Sequence, residues 1–143
     1  MKIAVIGLGF VGLSLTSVLA SKGNSIVGID VDAKKCKKIR NGTPPFFEPD
    51  LEKILKIGLK KKLIISDDFS LSKDCDIIFV TVGTPQKSNG AIELSMIKKA
   101  MMSVGRILAK SKKNPTVLIK STVIPGTMQN VILPILEKRS GKK

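Results

Sequence analysis

Hydrophobic and polar positions follow two different periods along this chain. Short, uninterrupted apolar runs rich in β-branched residues predict strands buried on both faces, and apolar residues three or four positions apart predict amphipathic helices. Strands are predicted over residues 3–6, 25–29, 63–65, 75–82 and 116–120, and helices over 11–22, 31–40, 48–59, 93–110 and 126–139. This alternation predicts an α/β fold with a parallel, doubly wound sheet that has helices on both faces.

Three of these helix predictions are more specific. In the first helix, the apolar residues that recur at helical spacing are predicted to form the buried stripe: Val11, Leu15, Val18 and Leu19. The helix before the third strand is predicted to begin with Pro49 at its first position, where a missing N–H group costs nothing. The last helix is predicted to bend at Pro134, because a proline inside a helix removes a hydrogen bond and crowds the preceding turn.

Three glycines separate the first predicted strand from the first helix. Gly7, Gly9 and Gly12 have the spacing Gly-x-Gly-x-x-Gly, and the second strand ends at Asp30. In a dinucleotide site the first glycine permits a tight turn, the second lets the backbone approach a pyrophosphate, and the third lets the helix pack closely. Amides at the helix start hold the phosphates, and the acid accepts the ribose hydroxyls. The motif predicts NAD rather than NADP, because Asp30 repels a 2′-phosphate; a glycine turn that only packs is the alternative.

The uncharged stretch over residues 3–20 has a second interpretation. It follows a lysine and ends in small residues, as a signal peptide or a membrane anchor does. That interpretation leaves Asp30 and the second predicted strand unexplained. We therefore expect no membrane segment and a cytoplasmic protein.

Two further segments follow predicted strands and carry threonines. Gly83-Thr84-Pro85 follows the fourth strand, and Ser121-Thr122 follows the fifth. In a doubly wound sheet the carboxyl ends of the strands meet at one crevice, where ligands bind. The threonine hydroxyls are therefore expected near the ligand, although either one can instead bond its own backbone in a turn.

Length, charge and cysteine content narrow the possible functions. The 143 residues, 43% of them hydrophobic, suffice for a single domain over residues 1–143. There is no histidine to act as a base or a metal ligand, and two cysteines are too few for a thiolate zinc site, so we expect no metal. The net charge of +14 leaves a basic nucleic-acid-binding module as an alternative. Without Trp, Tyr or a nucleic-acid-binding motif, no specific nucleic acid is expected.

The chain resembles the amino-terminal domain of the UDP-glucose/GDP-mannose dehydrogenases. The matching segments are KIAVIGLGFVGL, GIDVDAKKCKKIRNG, PPFFEPDLEKIL, VTVGTPQ and IKSTVIPGT, in the family's order and spacing. They cover nearly the whole chain, and the Glu-Pro-Asp-Leu and Ser-Thr-Val-x-Pro-Gly-Thr segments are more specific than the glycine motif. The resemblance implies a Rossmann-type fold and NAD-dependent oxidation of the C6 alcohol of a UDP-sugar, UDP-glucose or UDP-N-acetylmannosamine, to a uronate in two hydride transfers.

The resemblance also implies roles for individual residues. The backbone at Phe10 and Val11 would lie near the pyrophosphate, and Asp30 and Lys35 would bind the adenosine ribose. The cofactor-binding set is then Gly7, Gly9, Phe10, Val11, Gly12, Asp30, Lys35, Thr84 and Thr122, and Thr122 would also support catalysis. For Lys35 the alternative is a solvated position on a lysine-rich helix.

The family's catalytic cysteine and lysine lie beyond the segment that resembles this chain, as do the sixth strand and the sugar-binding domain. Cys36 and Cys75 fall on a helix and at a buried strand, where they are expected to be inert. We therefore expect the cofactor domain of a larger enzyme, truncated before the sixth strand and inactive alone. The resemblance implies that a homodimer would form through regions outside this segment, and the sequence itself does not fix the oligomeric state. A non-catalytic NAD-binding regulator is the remaining alternative.

Overall fold

A computed structural model describes residues 1–142, which contain five strands and five α-helices. The strands are β1 (Lys2–Ile6), β2 (Ser25–Ile29), β3 (Leu63–Ser66), β4 (Ile77–Val80) and β5 (Thr116–Ile119). The helices are α1 (Phe10–Ser21), α2 (Ala33–Arg40), α3 (Leu51–Leu59), α4 (Ser95–Ala109) and α5 (Leu133–Ser140). All neighbouring strands are parallel, in the order β3-β2-β1-β4-β5. The prediction of a Rossmann-type, doubly wound α/β fold is confirmed.

Side chains from alternate strand positions enter two separate hydrophobic layers. Val5 faces the layer formed with α1, α2 and α3, whereas its neighbour Ile6 faces the layer formed with α4 and α5. The connection from β3 to β4 contains a short 3-10 turn, Phe69–Ser72, which packs on the α4 side. Each face of the sheet is thus covered, which explains why the central strands consist of continuous apolar runs.

The strand order reverses between β1 and β4, at the centre of the sheet. β1 leads into Gly7 and α1, whereas β4 leads into Thr81 and crosses toward the opposite face. The two connections therefore diverge and leave a crevice at the carboxyl ends of these strands.

The predicted buried stripe of α1 is wrong. Val11 and Val18 are 53% and 39% exposed, and Leu15 and Leu19 are only partly buried. The residues that face the interior are instead mostly small or polar: Gly12, Leu13, Thr16, Ser17 and Ala20. α1 packs closely on the sheet and on α3, where a Cβ on Gly58 would lie 2.9 Å from the Cβ of Ala20. Close packing on two sides selects small side chains, so hydrophobicity alone misidentifies the buried face.

The predicted positions of two prolines also differ from the structure. α3 begins at Leu51, so Pro49 precedes the helix and does not occupy its first position. The segment predicted as one bent helix over 126–139 contains a wider π-helical turn, Met128–Ile132, before α5. Pro134 is the second residue of α5, which directly follows this π-helical turn, so the irregularity predicted at Pro134 lies at the junction of the two helical segments.

None of the helices formed by residues 1–142 combines the length and the apolar character that crossing a bilayer requires. The uncharged stretch over residues 3–20 is divided between β1 and α1, with the glycine turn between them.

Candidate cofactor site

A pocket of about 400 Å³ occupies the crevice at the carboxyl ends of the central strands. Four residues predicted from the sequence line it: Gly7, Gly9, Asp30 and Lys35. Its wall also includes residues that follow β2 and β4, among them Val31, Thr81 and Gly83, and one face of α4. The glycine turn and the acid at the tip of β2 therefore belong to one cavity, as the motif predicts.

Gly7 and Gly12 are required by the packing of the protein itself. Gly7 has a φ of +94°, and a Cβ at this position would lie 2.9 Å from the backbone nitrogen of Val82. A Cβ on Gly12 would overlap the carbonyl oxygen of Gly7. The turn and the close approach of α1 to β1 thus depend on these two glycines.

Gly9 differs from its two partners because nothing in the protein crowds it. Its φ is −78° and its ψ is −164°, which any residue can adopt. Apart from Gly9 and its two chain neighbours, no described residue has an atom within 4 Å of the position that its Cβ would occupy, and Gly9 lines the pocket. A side chain here would extend into free space at the start of α1, which is the space that a phosphate group at the helix N-terminus would use.

The first turn of α1 offers unpaired amide groups beside this space. The first hydrogen bond of the helix runs from Leu13 N to Gly9 O at 2.9 Å, so the amides of Phe10, Val11 and Gly12 precede it. Within residues 1–142 these three amides have no hydrogen-bond acceptor. The helix dipole adds positive potential at the same end, so the site favours an anion.

The Phe10 side chain does not line the pocket and packs on another aromatic ring. Its centroid lies 4.1 Å from that of Phe46, with the rings tilted by 34°. This contact packs the loop before α3, which contains Phe46, against the start of α1. Val11 does not line the pocket either, so for both residues the backbone amide is the candidate for contact with a phosphate.

Asp30 lies buried at the tip of β2 and is held by three donors. Its Oδ2 accepts hydrogen bonds from the backbone N–H of Leu8 and from the Lys35 ammonium, both at 2.8 Å. Its Oδ1 accepts from the backbone N–H of Asp32 at 3.0 Å. These contacts fix the orientation of the carboxylate. Two donors occupy Oδ2, whereas Oδ1 has one donor and retains capacity for another, such as a ribose hydroxyl.

The structure brings Lys35 to the site but shows no contact for the two predicted threonines. The Lys35 ammonium forms an ion pair with Asp30, so it is not simply a solvated position on α2. Thr84 is half-buried and Thr122 is exposed, and neither side chain forms a hydrogen bond with another of the described residues. Ser121 Oγ, however, donates to Val82 O at 2.7 Å. The segments after β4 and β5 therefore meet, while the cofactor contacts and the catalytic role of the threonines stay predictions.

Several lining residues escaped the sequence predictions. Besides Val31 and Phe69, the wall includes Met96, Lys99, Ala100 and Ser103 of α4. The α4 residues recur at three- and four-residue spacing next to the buried stripe of the helix, so they form a second face directed at the crevice. Helical periodicity could have identified this face, but only with knowledge that α4 borders the pocket.

Both cysteines are buried and poor candidates for a reactive thiolate. Burial raises the pKa of the Cys36 thiol, whose Sγ lies 3.4 Å from the carbonyl oxygen of Asp30. Burial also raises the pKa of the Cys75 thiol. The expectation that these two residues are inert agrees with their surroundings.

Comparison with known proteins identifies the family to which this chain is similar. The sequence profile of the UDP-glucose/GDP-mannose dehydrogenase family, NAD binding domain, matches residues 1–143. GDP-mannose 6-dehydrogenase of Pseudomonas syringae pv. tomato is 40% identical over 100% of this chain and 33% of its own length. A putative UDP-glucose 6-dehydrogenase of Bacillus subtilis is 40% identical over 92% of this chain and 30% of its own length.

Solved structures agree in fold. The chain superimposes on a ternary complex of GDP-mannose dehydrogenase from Pseudomonas aeruginosa with a TM-score of 0.97 at 37% identity, covering 100% of this chain and 33% of that one. For a UDP-D-ManNAc dehydrogenase from Pyrococcus horikoshii the TM-score is 0.91 at 31% identity, covering 100% and 34%. The chain thus spans about a third of the length of these relatives. It belongs to the UDP-glucose/GDP-mannose dehydrogenase family, in which it corresponds to the NAD-binding domain.

Proposed function

We propose that the protein containing this chain oxidises the C6 alcohol of a nucleotide sugar to a carboxylate in two NAD-dependent steps, and that residues 1–143 form its cofactor domain. The family match supports the reaction class, and Gly9 is the observation that carries the cofactor part of the proposal. The fold does not require glycine at this position, and the absent side chain leaves free space between the pocket and the unpaired amides of α1. A pyrophosphate against the helix start uses both features.

The residues of this chain bind and orient the cofactor in this proposal. The amides of Phe10 and Val11 donate to the pyrophosphate, and Asp30 accepts the ribose hydroxyls while Lys35 holds its carboxylate in place. Thr84 and Thr122 approach the reactive end of the cofactor from the segments after β4 and β5. When bound, NAD supplies the hydride acceptor for the oxidation.

The cofactor part of the proposal is tested by Gly9→Ala in the isolated chain. We expect NAD affinity, measured by calorimetry, to fall by about tenfold or more, while the free energy of unfolding changes by less than about 1 kcal/mol. Gly12→Ala is the contrasting variant, because its Cβ overlaps the Gly7 carbonyl and destabilises the fold itself. Unchanged NAD affinity in Gly9→Ala would remove the main support for the site.

For the substrate we propose a UDP-sugar, UDP-glucose or UDP-N-acetylmannosamine. GDP-mannose is the second candidate, because relatives that carry that name reach 40% identity, as high as the putative UDP-glucose 6-dehydrogenase. The test is NADH formation by the whole protein with each of the three nucleotide sugars. We expect two NADH per molecule of one UDP-sugar. Turnover of GDP-mannose alone would correct the substrate, and turnover of none would contradict the proposed activity.

A further inference from the structure

Thr81, which follows β4, makes the closest side-chain contact to the glycine turn. Its backbone N–H donates to Ile6 O at 2.8 Å, which extends the pairing of β4 with β1 by one residue. Its hydroxyl Oγ1 lies 2.6 Å from the carbonyl oxygen of Gly7 and 3.0 Å from that of Ile6. A hydroxyl has one proton to donate, and the shorter contact assigns it to Gly7.

The peptide group between Gly7 and Leu8 is held from two opposite sides. Its carbonyl accepts from Thr81, at the end of β4, and its N–H donates to Asp30 Oδ2 at 2.8 Å, at the end of β2. The preceding N–H, that of Gly7, donates to Ile29 O at 2.8 Å. The orientation of this peptide therefore depends on residues at the ends of both β4 and β2. The peptide is followed directly by Gly9 and by the amides at the start of α1.

The third glycine of the motif makes room for this hydroxyl. A Cβ on Gly12 would lie 2.5 Å from Thr81 Oγ1, well inside the distance that two such atoms tolerate. The hydroxyl thus lies between the start of α1 and the glycine turn, and Thr81 also lines the pocket. A side chain of this size that can donate one hydrogen bond fits the space between Gly12 and Gly7.

We propose that Thr81 is a positioning residue for the cofactor. It acts through the Gly7–Leu8 peptide, whose fixed orientation aims the backbone at Gly9 toward the pyrophosphate and supplies a donor to the Asp30 carboxylate. Thr81 thereby links the phosphate-binding turn to the ribose-binding acid. This inference rests on the proposed cofactor function of the crevice.

Three variants of the isolated chain test the inference by calorimetry with NAD and by urea unfolding. Thr81→Val removes the hydroxyl but keeps the branched shape, and Thr81→Ser keeps the hydroxyl. Ser111→Ala is the matched control, because Ser111 Oγ also donates to a backbone carbonyl, that of Lys73 at 2.7 Å, at the opposite end of the sheet. Loss of the hydrogen bond at Thr81 or at Ser111 is expected to lower the free energy of unfolding, whereas only the loss at Thr81 is expected to lower NAD affinity.

We expect NAD affinity to fall by about tenfold in Thr81→Val and to stay within about twofold of wild type in Thr81→Ser and Ser111→Ala. If a methyl group against the Gly7 carbonyl prevents Thr81→Val from folding, Thr81→Ala removes the hydroxyl without that contact. A folded Thr81→Val or Thr81→Ala with wild-type NAD affinity would overturn the inference, as would a tenfold loss in Thr81→Ser. Failure of the wild-type chain to bind NAD would instead overturn the proposed function.

Discussion

At the scale of single residues, Asp50 has the most unusual backbone of the described chain. Its φ of +61° makes it the one non-glycine residue among residues 1–142 in the left-handed region. Its side chain does not cap α3, although it lies directly before that helix. The conformation is therefore a cost for which no hydrogen bond of its side chain compensates.

We expect Asp50→Gly to increase the free energy of unfolding by about 0.5 kcal/mol, because relief of the left-handed conformation exceeds the added freedom of the unfolded chain. Asp67→Gly is the matched control at an exposed residue whose φ is not positive. The control should lose stability. Urea unfolding measures both variants, and a loss in Asp50→Gly as large as in the control would contradict this account.

Sequence patterns predicted the glycines and Asp30 because each has a fixed place relative to a strand or a helix start. Thr81 was missed for a physical reason. Its contact with Gly7 joins residues that are 74 positions apart, and a threonine after a strand has no local pattern that reveals such a contact. The Thr81 hydroxyl reaches the glycine turn only because β4 pairs with β1 in the folded sheet.

At the scale of elements, α4 and α5 pack so closely that one position permits no side chain. A Cβ on Gly105 of α4 would lie 2.5 Å from the Cβ of Arg139 on α5. This contact lies on the opposite face of the sheet from α1. Close helix packing through small residues therefore occurs in both layers of the molecule.

We expect Gly105→Leu to lower the free energy of unfolding by about 1–3 kcal/mol, because α5 has to move away from α4. Arg106→Leu places the same residue one position further along α4, at an exposed site, and should change stability by less than about 0.5 kcal/mol. Thermal or urea unfolding separates the two. Equal stability of both variants would show that the Gly105 contact does not constrain the helices.

The order of strands and helices was predictable because buried runs and helical periodicity are strong in this chain. The buried face of α1 was not, since Val11 and Val18 are more hydrophobic than the small residues that actually face the sheet. Shape, not hydrophobicity, decides which face of a helix fits against two neighbouring elements. The cavity-facing residues of α4 were missed for a different reason, since the sequence does not show that α4 borders the pocket.

At the scale of the whole molecule, Asp76 joins three distant parts of the chain at the amino-terminal edge of the sheet. Its Oδ2 accepts from the backbone N–H of Lys2 at 2.8 Å, and its Oδ1 accepts from the Lys113 ammonium at 2.7 Å. The Lys113 ammonium is the main reason, and the Lys2 amide the second, that the pKa of Asp76 lies below its ordinary value of 3.8.

A carboxyl group whose pKa is lower in the folded state stabilises the fold above its unfolded pKa, and this contribution is lost as the pH falls through the folded pKa. Below about pH 4, we therefore expect the urea midpoint of the wild-type chain to decrease more steeply with falling pH than the midpoint of Asp76→Asn. Asp74→Asn, at an exposed neighbour without a side-chain hydrogen bond, should keep the wild-type profile. Identical pH profiles for all three proteins would contradict the conclusion that the Asp76 carboxylate contributes to the pH dependence of stability.

The central claim is that the crevice between the glycine turn and Asp30 binds NAD, and calorimetric titration of the folded chain with NAD and NADP tests it most directly. We expect NADP to bind at least about tenfold more weakly than NAD. Asp30→Asn should narrow that ratio, because it removes the charge that repels a 2′-phosphate and frees Lys35, whereas Asp74→Asn should preserve it. No heat with millimolar NAD, or an unchanged ratio in Asp30→Asn, would contradict the account.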